Sequence, residues 1–164
     1  MKRMVLTIGL FIGAISVAGN TGNKTIIVNS ENSGKMLPLL LVKQHCVNMG
    51  FSAKDCEAKD FEGVAVDLNG NTKPEFLLRN AKLEKNTKTC VLYMDEKSAY
   101  MFVQAEMPCF IELMKTKTNS WFDIKGVIYP TECEPLKCEY KWGGSSYIRA
   151  GCVPFEDEEG CQLE

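Results

Sequence analysis

The sequence contains a single histidine, His45, and none of its cysteines are spaced as C-x-x-C. One histidine leaves little material for a Ser–His–Asp or Cys–His catalytic centre, and the missing C-x-x-C pairs argue against a structural zinc site. No glycine-rich phosphate loop is present either. His45 stands beside Cys46 on a predicted helix, where a lone histidine is most often a surface or boundary residue.

A hydrophobic run long enough to span a membrane is also missing. The apolar segment 5–17 has about 13 residues, whereas a spanning helix needs roughly 20. It follows the basic residues Lys2 and Arg3 and precedes small residues at 16–18, an order typical of a signal peptide. We therefore expect residues 1–18 to be a leader, with export to the periplasm or the medium and no membrane anchor after its removal.

Positive charge is not in excess, because 19 basic residues stand against 21 acidic ones, a net charge of −2. The leader holds two of the basic residues and no acidic residue, so the mature chain has 17 against 21, a net charge of −4. Nucleic acids and anionic membranes attract proteins with concentrated positive charge, so neither is an expected partner.

Cysteine, in contrast, is abundant: the chain has eight, all beyond residue 45. An even number in an exported protein indicates disulfide bonds rather than reactive thiols. By position along the chain we favour Cys46–Cys56 as a local bridge and Cys138–Cys152 across a predicted hairpin. Cys90 and Cys109 begin two different predicted strands, and Cys133 and Cys161 would then tie down the C-terminal segment. The main alternative joins Cys133 to Cys138 and Cys152 to Cys161.

The hydrophobic pattern predicts helix first and strands afterwards. Residues 19–35 are polar around Ile26–Val28 and predict a flexible lead-in or an edge strand. Residues 37–49 then predict a helix, for which Pro38 suits the first turn and Gly50 suits the end. The residues at helical spacing are Leu37, Leu40, Leu41, Gln44 and Val47. Ser52 with Asp55 then predicts the cap of a short second helical turn, which carries Cys56.

From Phe61 onward, short alternating segments rich in β-branched and aromatic residues are separated by turn residues. The loops are too short for parallel crossovers, so the strands should pair antiparallel. The predicted segments are 63–68, 75–79, 89–94, 99–104, 109–114, 121–128, 137–142 and 147–152. We therefore predict an α+β fold in which one or two N-terminal helices pack on a disulfide-stapled antiparallel meander of about six to eight strands, as a single domain over 36–164.

One turn stands out for its regular oxygen-bearing residues, at Asp67, Asn69, Asn71 and Glu75. The run resembles the D-x-N-G-D-G-x-x-E turn of FG-GAP or VCBS-type repeats and of small exported bacterial proteins that carry one such turn. That resemblance implies a calcium site with these four residues as side-chain ligands. Read from the residues alone, the run is an Asn-Gly hairpin turn in which Asp67 and Asn71 bond their own backbone.

A second segment, from Tyr140 through Trp142 to Tyr147, resembles the Y-x-W-x-G-x-x-Y hairpin that often closes small exported domains. In those proteins the motif is structural. Paired carboxylates for hydrolysis are available on strands and turns, but no spacing selects a pair. These acidic residues are Asp67, Glu75, Asp95, Glu106 and Glu112.

Aromatic residues and methionines gather around one predicted hairpin, with Tyr93, Tyr100 and Phe102 as the candidate exposed patch. On this basis we expect a non-enzymatic module that binds another protein outside the cytoplasm, most concretely an inhibitor or immunity protein against an envelope-acting or toxic enzyme. Two alternatives remain open: a calcium-dependent carbohydrate or surface adhesion module, and a small secreted hydrolase or toxin.

Overall fold

The computed structural model describes residues 25–85, 88–96, 99–130 and 135–155, and in that part the chain is mostly antiparallel β-sheet with few helices. The leader, Cys133 and Cys161 lie outside the described residues. The helices are α1 (Ser33–Met36) and α2 (Leu39–Asn48), followed by 3-10 turns at Ala53–Asp55 and Ala58–Asp60. The strands are β1 (Ile26–Val28), β2 (Phe61–Val66), β3 (Glu75–Asn80), β4 (Thr89–Glu96), β5 (Ala99–Pro108), β6 (Ile111–Thr118), β7 (Trp121–Ile128), β8 (Leu136–Trp142) and β9 (Tyr147–Pro154).

The strands form two sheets rather than the single predicted meander. The first sheet has the order β1-β2-β3-β4-β5 and the second the order β6-β7-β8-β9, with antiparallel pairing throughout. The chain passes between the sheets at Cys109 and Phe110, just after Pro108. Gly126 of the second sheet leaves room for this crossing, since a Cβ atom there would lie 2.3 Å from Pro108 Cγ. Alternation along a strand predicts its buried face but does not predict where a meander divides into two sheets.

The predicted helix is present as α2, with Pro38 at its N-cap and Gly50, at φ +80°, just beyond its end. The predicted turn after it is a 3-10 turn in which Ser52 Oγ accepts a hydrogen bond from the Lys54 backbone N–H. Of the two alternatives for the lead-in, the edge strand is the one observed, because β1 pairs with β2. Within the described residues, no helix is both long enough and apolar enough to cross a membrane.

Two apolar cores lie on opposite faces of the first sheet. Alternate residues of its central strands, such as Val64 and Leu77, face the second sheet, where Ile124 and Tyr140 complete that core. The intervening residues, such as Leu78, face α2 and the core around Leu41. Strands β2 to β4 are therefore buried on both faces, which explains their nearly continuous apolar sequence.

Three disulfide bonds hold this arrangement in the described part of the chain. Cys46–Cys56 joins α2 to the segment after it, and Cys90–Cys109 joins β4 to the crossing between the sheets. Cys138 and Cys152 face each other directly in β8 and β9 and are bonded, as predicted. The alternative pairing of Cys138 with Cys133 is therefore wrong. Each bridge contributes about 2–4 kcal/mol by restricting the unfolded chain.

Candidate functional site

The loop between β2 and β3 is built around Asp67. Its Oδ1 accepts hydrogen bonds from the backbone N–H groups of Gly70 at 2.7 Å and Asn71 at 3.1 Å, and its Oδ2 accepts one from Thr72 at 2.9 Å. Gly70 and Thr72 both have positive φ, which the turn requires. This local bonding is the arrangement that the residues alone predict for a hairpin turn, with a longer loop than a two-residue connection.

The two asparagines of the loop act in the same way. Asn69 Oδ1 accepts a hydrogen bond from the Asn71 backbone N–H at 2.9 Å, and Asn71 Oδ1 accepts one from the Lys73 backbone N–H at 2.8 Å. Short polar side chains that bond the backbone two residues ahead stabilise a turn without any ligand. The side-chain oxygens that the resemblance assigns to calcium thus already have partners.

Glu75, the first residue of β3, bonds back to the start of the loop and is only 2% exposed. Its Oε2 accepts the Leu68 backbone N–H at 2.6 Å, and its Oε1 accepts the Asn69 amide at 2.7 Å. Burial raises the pKa of Glu75 to about 7, and the negative charges of Asp67 and Asp95 act in the same direction. The carboxyl group is held inside the turn, not presented to solvent.

A calcium ion fits this donor set poorly. Asp67 and Glu75 are its only carboxylates, and both already accept two or more hydrogen bonds. The described residues contain no group of three or more histidine, cysteine, aspartate or glutamate side chains arranged to hold a metal. Calcium binding by Asp67, Asn69, Asn71 and Glu75 stays a prediction of the resemblance, which this donor set does not favour.

An open cleft of about 370 Å³ lies beside the turn, lined by Asn71, Lys73, Asp95 and Glu96. Lys73 Nζ is 3.4 Å from Asp95 Oδ2, so part of the negative charge is compensated. A carboxyl group with a pKa near 7 next to ionised carboxylates is typical of a general acid. Glu75 nevertheless lacks access, because it is buried and both its oxygens accept N–H donors. Glu112 is remote and lies 3.6 Å from Lys137 on the second sheet.

His45 is fully buried, so the prediction that it is a surface or boundary residue is wrong. Its Nε2 lies 2.7 Å from Glu84 Oε2, and its Nδ1 lies 3.1 Å from the Tyr93 hydroxyl. Glu84 also accepts the Asn80 backbone N–H at 2.6 Å. These partners are distant in the chain, on β4 and on the segment after β3, so helical spacing alone gave no sign of them.

This His45–Glu84–Tyr93 network has the elements of an acid–base centre but lies at the interface between α2 and the first sheet. The ring of Phe61 packs edge-on against His45 at 5.0 Å, and the Tyr93 ring is 5.7 Å away. Burial raises the pKa of Tyr93 to about 12, so its hydroxyl stays protonated. The network holds the helix against the sheet, since His45 on α2 is hydrogen-bonded both to Glu84 and to the Tyr93 hydroxyl.

The predicted aromatic patch is divided by the structure. Tyr93 is fully buried and contributes no surface. Side chains alternate along β4, and that of Tyr93 lies on the face packed against α2 and His45. Tyr100 is half-buried against the same core, whereas Phe102 is 44% exposed. The Phe102 ring packs edge-on against the Tyr93 ring, with 6.1 Å between the ring centroids. One side of the exposed Phe102 ring is therefore supported by a buried side chain.

Helix α2 adds exposed apolar residues from the predicted stripe at helical spacing. Leu40 is 53% exposed and Val47 is 60% exposed, although both belong to the predicted apolar stripe. The core is reached by Leu41, which belongs to that stripe, and by Val42, His45 and Cys46, which do not. The signal for this was the run 39–42, which is apolar on every side of the helix and therefore cannot be wholly buried.

These two exposed regions are neighbours. The side-chain amide of Gln44 donates a hydrogen bond to the backbone carbonyl of Tyr100 on β5. Leu40 and Val47 flank Gln44 at i−4 and i+3, on the same side of the helix. We name the set Leu40, Val47, Tyr100 and Phe102 the α2–β5 surface.

The outer face of the second sheet has a different character. Ion pairs join Lys125 to Glu139 at 2.9 Å and Lys137 to Glu112 at 3.6 Å, so this face is largely a solvated charge ladder. Its inner face holds the aromatic residues of the second resemblance, where Trp142 stacks on Trp121 at 4.0 Å and meets Tyr147 edge-on.

Comparison with known proteins gave no relatives: no family model, no curated protein and no solved structure matches this chain.

Proposed function

We propose that the protein binds another protein outside the cytoplasm through the α2–β5 surface. The observation that carries this proposal is the exposure of Leu40, Val47 and Phe102 on two adjacent secondary-structure elements. Exposed apolar groups that share one surface on a soluble protein mark an interaction site more often than scattered single residues do. Its most concrete form is an inhibitor or immunity protein against an envelope-acting or toxic enzyme.

Rigidity supports this proposal. Cys46–Cys56 fixes α2, Cys90–Cys109 fixes β4 beside β5, and the His45 network ties the helix to the sheet. A preorganised surface loses little conformational entropy on binding, so more of its contact energy appears as affinity. The disulfides indicate an oxidising compartment, so we expect the partner protein in that compartment.

Capture of partners from envelope and secreted fractions tests this proposal, with the chain lacking residues 1–18 as bait. A specific protein should be retained by the unaltered bait and by Ile148→Asp, since Ile148 is 60% exposed on the second sheet. Retention should fall at least tenfold for Leu40→Asp and for Phe102→Asp. Equal retention by all four baits, or no specific partner, would overturn the proposal.

A further inference from the structure

Strand β5 is an edge strand of the first sheet whose first half, 99–102, carries neither charge, proline nor a register irregularity. It is the last strand in the order β1-β2-β3-β4-β5. Its one charged residue, Glu106, its terminal Pro108 and its register irregularities against β4 all lie beyond Phe102. Met101 and Phe102 are each 44% exposed. Exposed edges normally carry charge, proline or bulges, because unpaired backbone groups otherwise attract another strand.

The other described edges carry such protection. β1 has only three residues. β6 carries Lys115 and Lys117 and has a register irregularity against β7. β9 contains Gly151 and ends at Pro154, both of which weaken strand pairing.

The Gln44–Tyr100 hydrogen bond shows which way the free backbone groups of β5 point. Because the Tyr100 carbonyl accepts the Gln44 amide, it is directed away from β4. Tyr100 and Phe102 lie opposite Asp95 and Tyr93 in one uninterrupted register. Alternate residues of an antiparallel strand direct their backbone groups to the same side. The N–H and C=O of Phe102 therefore point outward as well.

The usable edge is the first half of the strand. Farther along, the Gln104 side chain accepts the Tyr147 backbone N–H at 2.8 Å, which brings the second sheet against β5. Glu106 has φ +59°, which ends the regular extended backbone. The regular edge is thus 99–102, because a register irregularity follows Phe102, and the Gln44 amide already lies where the N–H of an added strand would lie.

We propose that the edge of β5 accepts an extended segment of the partner protein, which pairs with the backbone of Tyr100 and Phe102 and displaces the Gln44 amide. This inference rests on the proposed function and names the mode of binding and the kind of partner. The segment has apolar side chains at two consecutive positions, one beside Phe102 on one face of the sheet and the next beside Met101 on the other face. Main-chain hydrogen bonds give such additions their affinity, and the flanking side chains give specificity.

The probe is a synthetic peptide with the sequence of β4, residues 89–95, carrying Cys90→Ser and lysines added at both ends. In the protein this sequence already places Tyr93 beside Phe102 and Met94 beside Met101. Two further peptides carry N-methyl groups on alternate amides, one at Val91 and Tyr93 and the other at Leu92 and Met94. Strand addition requires that one methylated peptide binds like the parent and that the other loses at least tenfold in affinity. Equal affinity of the two, or no binding of the parent at millimolar concentration, overturns the proposal.

Substitutions in the protein, rather than in the peptide, test the same edge of β5. Phe102→Pro removes an outward N–H without breaking a bond to β4, so it should bind the parent peptide about tenfold more weakly than the matched Phe102→Ala. Gln44→Ala should bind it about threefold to tenfold more tightly, because no competing amide must be displaced. Circular dichroism checks that each variant is folded. If Phe102→Pro does not fold, the comparison of the two methylated peptides still tests strand addition to the unaltered protein. A concentration-dependent dimer that Phe102→Pro abolishes would overturn the proposal, because a second copy would then fill the edge.

The captured partner separates this inference from the proposed function. If capture depends on Leu40 but Phe102→Pro and Phe102→Ala retain the partner equally, strand addition is wrong and protein binding stands. If no partner is captured, the proposed function is wrong. Peptide binding then tests only whether the edge of β5 can accept an added strand.

Discussion

His45 Nε2 lies 2.7 Å from Glu84 Oε2 in the core between α2 and the first sheet. This one contact fastens the helix that carries Leu40 and Val47 to the segment that follows β3. Tyr93 completes it from β4, with its hydroxyl 3.1 Å from His45 Nδ1. The chain's single histidine therefore holds the proposed binding surface in place without itself belonging to that surface.

Replacement of His45 should be strongly destabilising. His45→Ala leaves Glu84 and the Tyr93 hydroxyl buried without their partner, which costs about 3 kcal/mol or more. Lys59→Ala is the matched control, because it breaks only the exposed Lys59–Glu57 pair and should leave the free energy of unfolding almost unchanged. Urea denaturation measures both. Equal losses in the two variants would show that the buried network does not hold the helix.

Glu75 predicts a pH dependence of stability. Its pKa is about 7 in the folded chain and 4.5 in the reference state, so its contribution is fully present below about pH 4.5 and is lost as pH rises through about 7. The free energy of unfolding should fall by up to about 3 kcal/mol between pH 5 and pH 8. Glu75→Gln should flatten this dependence, as urea titrations at several pH values will show. A variant profile as steep as the original would assign the effect to another group.

Calcium should not stabilise the protein. The oxygens of Asp67 and Glu75 already accept hydrogen bonds from the loop, so an added ion has few free donors to use. Thermal unfolding in millimolar calcium and in chelator should give melting temperatures within about 1 °C of each other. A rise of several degrees that Asp67→Asn abolishes would instead support the calcium-dependent adhesion alternative.

Gly63 should tolerate no side chain. It has φ +142°, and a Cβ atom there would lie 1.9 Å from the backbone oxygen of Leu77 in the adjacent strand. Gly63→Ala should therefore cost about 3 kcal/mol or more, since a backbone atom cannot move aside as a flexible side chain can. Gly34→Ala, which meets nothing within 4 Å, should be nearly neutral. Similar melting temperatures for the two variants would contradict the close approach of β2 and β3.

The features that the sequence predicted correctly depend on residues close together in the chain. Asp67 and Asn71 bond backbone groups a few residues away, so residue type and spacing suffice to predict their turn. Cys138 and Cys152 are brought together by a short hairpin, which is likewise a local event. The helix is predicted as well, because Pro38 and Gly50 mark its ends.

Nonlocal packing explains what the sequence did not predict. His45 finds Glu84 and Tyr93 only after the sheet has formed, and no pattern near His45 records them. Likewise, nothing in the alternation of β5 and β6 predicts that they belong to different sheets. Leu40 and Val47 lie at the predicted helical spacing but are exposed, because this helix has more apolar positions than buried ones.

The measurement that tests protein binding most directly is the affinity of the purified captured partner for three forms of the chain. Calorimetry should give the unaltered chain and Ile148→Asp the same dissociation constant, because Ile148 lies on the second sheet. Phe102→Asp should bind at least tenfold more weakly, because it places a charge on the α2–β5 surface. Equal affinity of Phe102→Asp and the unaltered chain, or a loss seen only for Ile148→Asp, would contradict the account.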